Sequence, residues 1–349
     1  MRTLVASAVY VFLASGLMAQ QHAGEDAGGR ETFMVRQARL VRSYRNSGDY
    51  VAAERVVREW LAKEPAGTDA YTIAQDNLAD LLREEGRSVE ARRLFTLIVN
   101  TPNVKAQVRL NALIGLADVD LHQGDVKTSI DEWNTALDLA RRRQDTDSEA
   151  IILRGLGSAW LHSGSAARAE PLLRRSLKMA ESSPAAAPLE LASSLSAMAE
   201  YYREANKLAL AEDAWSRALA IDRATFGENH PQVALLMEML ADAYSARGET
   251  GLARDNATRA ADMMRQWFGD ESPATATALA NLALVEERAH TFGPAATHYE
   301  SAIRILRRSP DLLPALKVVM QRYAGVLKAL HRDHEAKALD SEVLSFRLN

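Results

Sequence analysis

Between Leu189 and Leu306 the chain repeats itself at a step of 42 residues. Phe226-Gly227 recurs as Phe268-Gly269, and Pro231 recurs as Pro273. Small residues keep the same step: Ala199, Ala241 and Ala283; Ala211, Ala253 and Ala295; Ala218, Ala260 and Ala302. A period between about 20 and 50 residues marks a stacked array, whose units bury their apolar faces only against their neighbours. Chain length then counts units rather than domains.

From Thr32 onward the pattern is helix, short break, helix, with no sustained two-residue alternation that would signal strands. The expectation is an all-α chain. Gly48, Gly86, Gly124, Gly164 and Gly248 each fall between two helical stretches, at steps of 38, 38, 40 and 84 residues, the last being twice 42. Such glycines end a first helix before a second begins. The register gives eight units, at 33–63, 70–100, 105–142, 148–181, 189–225, 231–268, 273–307 and 312–346, in one array over 32–349. Prolines 65, 102, 184, 188, 231, 273, 310 and 314 bracket the helices, because proline is tolerated in a helix's first turn but disrupts an interior.

Ahead of the array, Arg2 and an uncharged, mostly apolar run from Leu4 to Leu17 precede small residues. That order reads as a signal peptide, residues 1–19, cut after Ala19, with a glycine-bearing flexible spacer at 20–31. The mature protein is then periplasmic or secreted. No second long apolar run follows, so no membrane span is expected after signal removal. A formal charge of −4 gives no electrostatic footprint for nucleic acid. The absence of cysteine excludes disulfides and thiolate metal sites.

The units share more than their length. The fifth places Leu195, Met198, Ala199 and Tyr202 in its first helix and Ala211, Trp215 and Ala218 in its second. The fourth gives Leu153, Leu156, Gly157 and Trp160, then Ala169, Leu173 and Ser176; the second gives Leu78, Ala79 and Leu82, then Ala91, Phe95 and Ile98. These positions resemble the tetratricopeptide repeat (TPR) family. The 42-residue period and the Phe-Gly-Glu-Asn-His-Pro joint at 226–231 are similar to its kinesin-light-chain-like subgroup. The resemblance implies a right-handed TPR solenoid, an all-α superhelix of about eight helix-turn-helix units that binds peptides or proteins in its concave groove. In that subgroup an Asn-Leu-Ala run helps hold a bound peptide's backbone. The matching runs here begin at Asn77 and Asn281, while other repeats carry Gly115, Ala197 and Met239 at that position.

Chemistry of the chain's own finds little support. His331 and His334 fall in the turn between two helices without further ligands, and a solvated joint is the expected reading. His230 is read as a hydrogen-bonding joint residue or a ligand. Gly155 and Gly157 lie inside a helix with no preceding strand, outside the context of a dinucleotide-binding turn. No catalytic, cofactor-binding or metal residues are nominated, and no cofactor is expected.

By register, and given that first helices line the concave side in this repeat type, the groove candidates follow. They are Arg42, Arg45, Asp76, Asn77, Asp80, Arg83, Asp118 and Arg154 in the earlier units, and Glu200, Arg203, Glu238, Asp242, Asn281 and Glu287 in the later ones. The later set carries four acids against one arginine, which favours a partner with a basic segment. The leading reading is a non-catalytic scaffold for a protein or peptide. The alternatives are a structural subunit of an envelope assembly, binding by its convex face or ends, and an accessory enzyme assembled on helices.

Overall fold

The computed structural model describes residues 32–182, 188–309 and 312–346. The expected signal peptide at 1–19, the spacer at 20–31 and the joint prolines 184 and 310 lie outside the described residues. The chain divides into two compact units, one ending at Ala205 and the other beginning at Asn206. Among the described residues the regular structure consists of sixteen α-helices, with no strand.

The first unit contains α1 (Phe33–Asn46), α2 (Tyr50–Lys63), α3 (Asp69–Glu84), α4 (Ser88–Asn100), α5 (Ala106–Gln123), α6 (Val126–Arg142), α7 (Thr146–His162), α8 (Ala166–Ser182) and α9 (Pro188–Glu204). Each helix packs on the next, and α3, α5, α7 and α9 also touch in series. The odd-numbered helices therefore form an inner row, flanked by the even-numbered ones. Side-chain caps fix several of the helix starts: Thr68 Oγ1 accepts from the Tyr71 amide at 3.2 Å and Asp49 Oδ1 from the Ala52 amide at 2.9 Å.

Small residues decide how closely the rows approach. Ala53, Ala79, Ala91, Ala117 and Ala169 are fully buried, and Trp60, Phe95 and Trp133 fill the spaces beside them. Gly115 on α5 lies under the Phe95 ring of α4, so close that a Cβ there would meet Cζ at 2.3 Å. Gly155 on α7 lies likewise under Trp133 of α6, whose Cζ2 would be 2.3 Å from an added Cβ. Glycine stands at both places because an aromatic ring from the preceding helix already occupies the room.

The second unit contains α10 (Leu208–Phe226), α11 (Pro231–Ala246), α12 (Thr250–Phe268), α13 (Pro273–Arg288), α14 (Phe292–Leu306), α15 (Leu313–Ala329) and α16 (Asp333–Ser345). Successive helices pack together, and α11 also touches α13. Residues Pro231 to Ala241 are all buried, so the first three turns of α11 are enclosed on every side. At the joint before it, His230 stacks on Phe226 with ring centroids 4.2 Å apart, and its Nδ1 accepts from the Gln232 amide at 3.2 Å. Burial pushes the His230 imidazole down to about 4. It is a neutral cap, packed edge-on to Trp267. In the next joint Ser272 replaces it, with Oγ accepting from the Thr275 amide at 3.1 Å.

The glycine expectation holds at Gly124, with φ 85°, and at the other four turns named above. Where glycine is missing, Asn206, His290 and His331 take the left-handed position with φ of 56°, 57° and 59°. His331 thus serves the turn before α16, while His334 begins that helix.

Candidate functional site

Helical spacing of three and four places charged residues along one face of each inner helix. In the first unit those faces meet, and the charges of one helix find partners on the next. The Arg45 guanidinium of α1 pairs with Glu84 of α3. Arg83 of α3 donates from Nη2 to Asp80 Oδ1 at 3.1 Å, and its Nη1 lies 3.5 Å from Asp118 Oδ2 of α5. Asp118 feels both Arg83 and Arg154 of α7. Arg154 Nε donates to Glu190 Oε1 of α9 at 3.3 Å, and Glu190 also accepts from Ser194 at 3.2 Å. The result is a row of alternating charge through five successive inner helices.

The row is largely sealed from water. Arg83 is fully buried and Asp118 is 1% exposed. Burial pushes the Asp118 carboxyl up to about 7, outweighing the pull of Arg83 and Arg154. The Asp76 carboxyl is raised well above its ordinary range, first by burial and then by the neighbouring Asp80. Glu84 is also raised by burial, against the opposing charges of Arg45 and Arg83.

In the second unit Glu238 of α11 accepts from Asn281 Nδ2 of α13 at 2.8 Å. Burial lifts its carboxyl to about 7. Asp242 Oδ1 accepts from Arg288 Nη1 at 2.5 Å. Glu287 accepts from the Tyr299 hydroxyl at 2.7 Å and lies 3.4 Å from Arg322 Nη1 of α15.

Sequence register therefore selects the inner face but misjudges its accessibility. Of the fourteen groove candidates, Asp76, Asn77, Arg83, Asp118, Arg154 and Glu238 are buried and bonded or charge-paired within the chain. Arg45, Asp80, Glu200, Arg203, Asp242, Asn281 and Glu287 are half-buried, and Arg42 is exposed. The acid excess counted on the later helices is offset locally. Glu200 pairs with Arg203 at 2.9 Å, and Arg288 and Arg322, which register reasoning omitted, face Asp242 and Glu287. The two asparagines are also engaged: Asn77 Nδ2 donates to the Ile73 carbonyl of its own helix at 2.8 Å, and Asn281 holds Glu238.

Glu84 and Glu190 were likewise missed, although the sequence carries a signal for the row. Arg83, Asp118, Arg154 and Glu190 alternate in sign at steps of 35, 36 and 36 residues, and Glu287 and Arg322 are 35 apart. Among the described residues no group of three or more His, Cys, Asp or Glu is placed to hold a metal ion. No helix among them is long and apolar enough to cross a membrane.

Comparison with known proteins agrees with this geometry. The family model described as tetratricopeptide repeat matches residues 108–182, 190–266 and 251–308, together over half of the chain. No curated protein matches significantly. Among solved structures, a Rap protein complexed with Competence and Sporulation Factor superposes with a TM-score of 0.61 at 10% identity, covering 90% of this chain and 96% of that one. BtubC (BKLC) from P. vanneervenii gives 0.55 at 19% identity, over 64% of this chain and 91% of that one. A putative kinesin light chain from Podosopora anserina, with nearly identical TPR-like repeats, gives 0.47 at 19% identity, over 56% and 93%. With its paired helices, its small-residue register and its sequence match in agreement, the chain belongs to the tetratricopeptide repeat family.

Proposed function

We propose that the protein is an exported, non-catalytic scaffold that binds an extended peptide or protein segment along its inner helices. The observation carrying this reading is the set of half-buried polar side chains on that face whose charged ends are already held by a neighbour. Asp80 is held by Arg83, Asp242 by Arg288 and Glu287 by Arg322. Groups fixed before binding lower its ordering cost. The similarity in fold to a Rap protein solved with Competence and Sporulation Factor is consistent with the same use. Export rests on the apolar run at 4–17 and the small residues ending at Ala19.

A second reading, an envelope-assembly subunit joined by its convex face or ends, is favoured by exposed apolar side chains at the starts of outer helices. Val51 and Val89 are 81% and 68% exposed on α2 and α4, and Leu210 and Leu252 are both 49% exposed on α10 and α12. Photocrosslinking separates the two. A benzophenone side chain at position 200 or 242, on the inner face, should capture a partner from an envelope extract, while one at position 89 or 252 should not. Capture only from the edge positions would replace the groove reading with the assembly reading. N-terminal sequencing of the exported protein should begin at Gln20; an intact Met1 in the cell body would refute export.

A further inference from the structure

One strongly charged surface lies apart from the inner face. Residues 33–63, the α1–α2 pair that begins the array, carry seven arginines and lysines against three acids, a net charge of +4 in a chain whose total is −4. The excess is concentrated on α1, which has four arginines and no acid. Arg45 turns inward to Glu84. Phe33, Arg36 and Leu40 follow one another at steps of three and four and so share the opposite side of the helix, with the exposed Arg39 beside them. Phe33 is 37% exposed and Leu40 36%, whereas Val41, turned inward, is buried in the core of the first unit. From α2 the Lys63 ammonium reaches over the Phe33 ring, 5.2 Å from its centroid, and adds a third cation to this face. A stacked array leaves the outer side of its first helix open, because no earlier unit covers it, and polar side chains normally close it. Here the side chains are apolar and basic.

Such a face calls for a partner that is both anionic and apolar. A second copy of this chain is a poor match. The carboxylates of the last helix, α16, are already taken, Glu335 by Arg332, Asp340 by Lys328 and Glu342 by Arg307, and those of the inner row are largely buried. An acidic peptide would pair with the guanidiniums but leave Phe33 and Leu40 in water. A bilayer with anionic headgroups supplies both halves: its phosphates take the arginines and the lysine, while aromatic and aliphatic side chains enter the acyl boundary beneath them. We propose that the outer face of α1, together with Lys63, is a docking surface for an anionic membrane, holding the array to the bilayer by its first helix. The surface is independent of the groove. It takes its setting from the export reading, in which the apolar run at 4–17 carries the chain to a bilayer.

The test is cosedimentation of the chain beginning at Gln20 with vesicles of phosphatidylcholine alone, or of phosphatidylcholine and phosphatidylglycerol in equal parts. The mixed vesicles should bind more than about tenfold tighter, with three cations at the surface. Raising salt from about 0.1 M to about 1 M, which shortens the screening length from about 10 Å to about 3 Å, should release the protein. Arg36→Glu with Arg39→Glu should reduce binding to the level of phosphatidylcholine alone. Phe33→Ser with Leu40→Ser should weaken it about tenfold and leave its salt dependence in place. Arg254→Glu, at an exposed arginine of α12, should change it less than about twofold. As a readout free of variants, spin-labelled lipid in the mixed vesicles should broaden the Phe33 ring and Leu40 methyl resonances. Equal binding to the two vesicles, or a preference that survives the arginine pair, overturns the docking surface. Full binding after Phe33→Ser with Leu40→Ser makes the contact purely ionic and replaces the bilayer with an acidic partner. Binding that appears only after Glu25→Gln with Asp26→Gln gives the face to the chain's own acids ahead of the array, and overturns the proposal as well. Each of these outcomes leaves export to N-terminal sequencing and the groove to photocrosslinking.

Discussion

Gly155→Ala is the sharpest test of how the repeats stack. Alanine is favoured over glycine inside a helix by about 1 kcal/mol, so α7 taken alone should gain stability. The structure reverses the sign. The new Cβ would lie 2.3, 2.5 and 2.6 Å from three ring atoms of Trp133, where carbon atoms in contact normally stand about 3.5–4.0 Å apart. The indole must retreat by more than about 1 Å, yet it is 1% exposed and packed within the core shared by α5, α6 and α7. Overpacking of this kind costs about 1–3 kcal/mol. The single variant should therefore lose up to about 2 kcal/mol, whereas on a Trp133→Leu background the same change should be neutral or gain about 1 kcal/mol. Urea unfolding followed by far-UV circular dichroism gives the four corners of the cycle, and the coupling between the two sites should be about 1–3 kcal/mol. Gly325→Ala is the control: it is an exposed position in α15 with nothing within 4 Å of the added Cβ, and it should stabilise by up to about 1 kcal/mol. If Gly155→Ala resists urea as well as the parent, or costs the same with leucine at 133, the ring-over-glycine account of stacking is wrong.

Three further perturbations test the remaining contacts. Burial holds Glu238 at about 7, so the folded chain keeps a proton that the unfolded chain releases near 4.3, and the stability this gives is full in acid and lost as pH rises through 7. Glu238→Gln should remove roughly 3 kcal/mol of the decline between about pH 5 and 8, seen as a flatter curve of thermal midpoint against pH; an unchanged curve assigns the decline elsewhere. Arg83→Met should cost about 3–5 kcal/mol in urea, because Asp80 and Asp118 would lose the buried guanidinium they share; a loss below about 1 kcal/mol would mean that the row is not ionised. Ala241→Trp at a buried site should lower the melting midpoint by an amount corresponding to about 1–3 kcal/mol, while Ala246→Trp on an exposed turn of the same helix should change it little; equal melts would show that Ala241 is not a close-packing position.

The repeat made the fold legible, because small residues recurring at a fixed step admit few arrangements other than stacked helix pairs. Its departures were legible only with neighbours in view. Gly115, read against Asn77 and Asn281, looks like a lost peptide-holding asparagine; in the structure the Phe95 ring already fills the space in which any side chain would begin. The same distinction governs the inner face. Counting along one helix assigns Asp118 and Arg154 to the concave side, but it does not say what the next helix brings against them. The units repeat at 38 to 42 residues, whereas Arg83, Asp118, Arg154 and Glu190 follow one another at 35 or 36 and Glu287 and Arg322 are 35 apart, so each of these charges meets the following helix one to two turns ahead of its own repeat equivalent. Those contacts are therefore diagonal, while Arg45–Glu84 and Asp242–Arg288 lie 39 and 46 residues apart. A register that aligns equivalent positions passes over the diagonal ones, as it passed over Glu190 and Arg322.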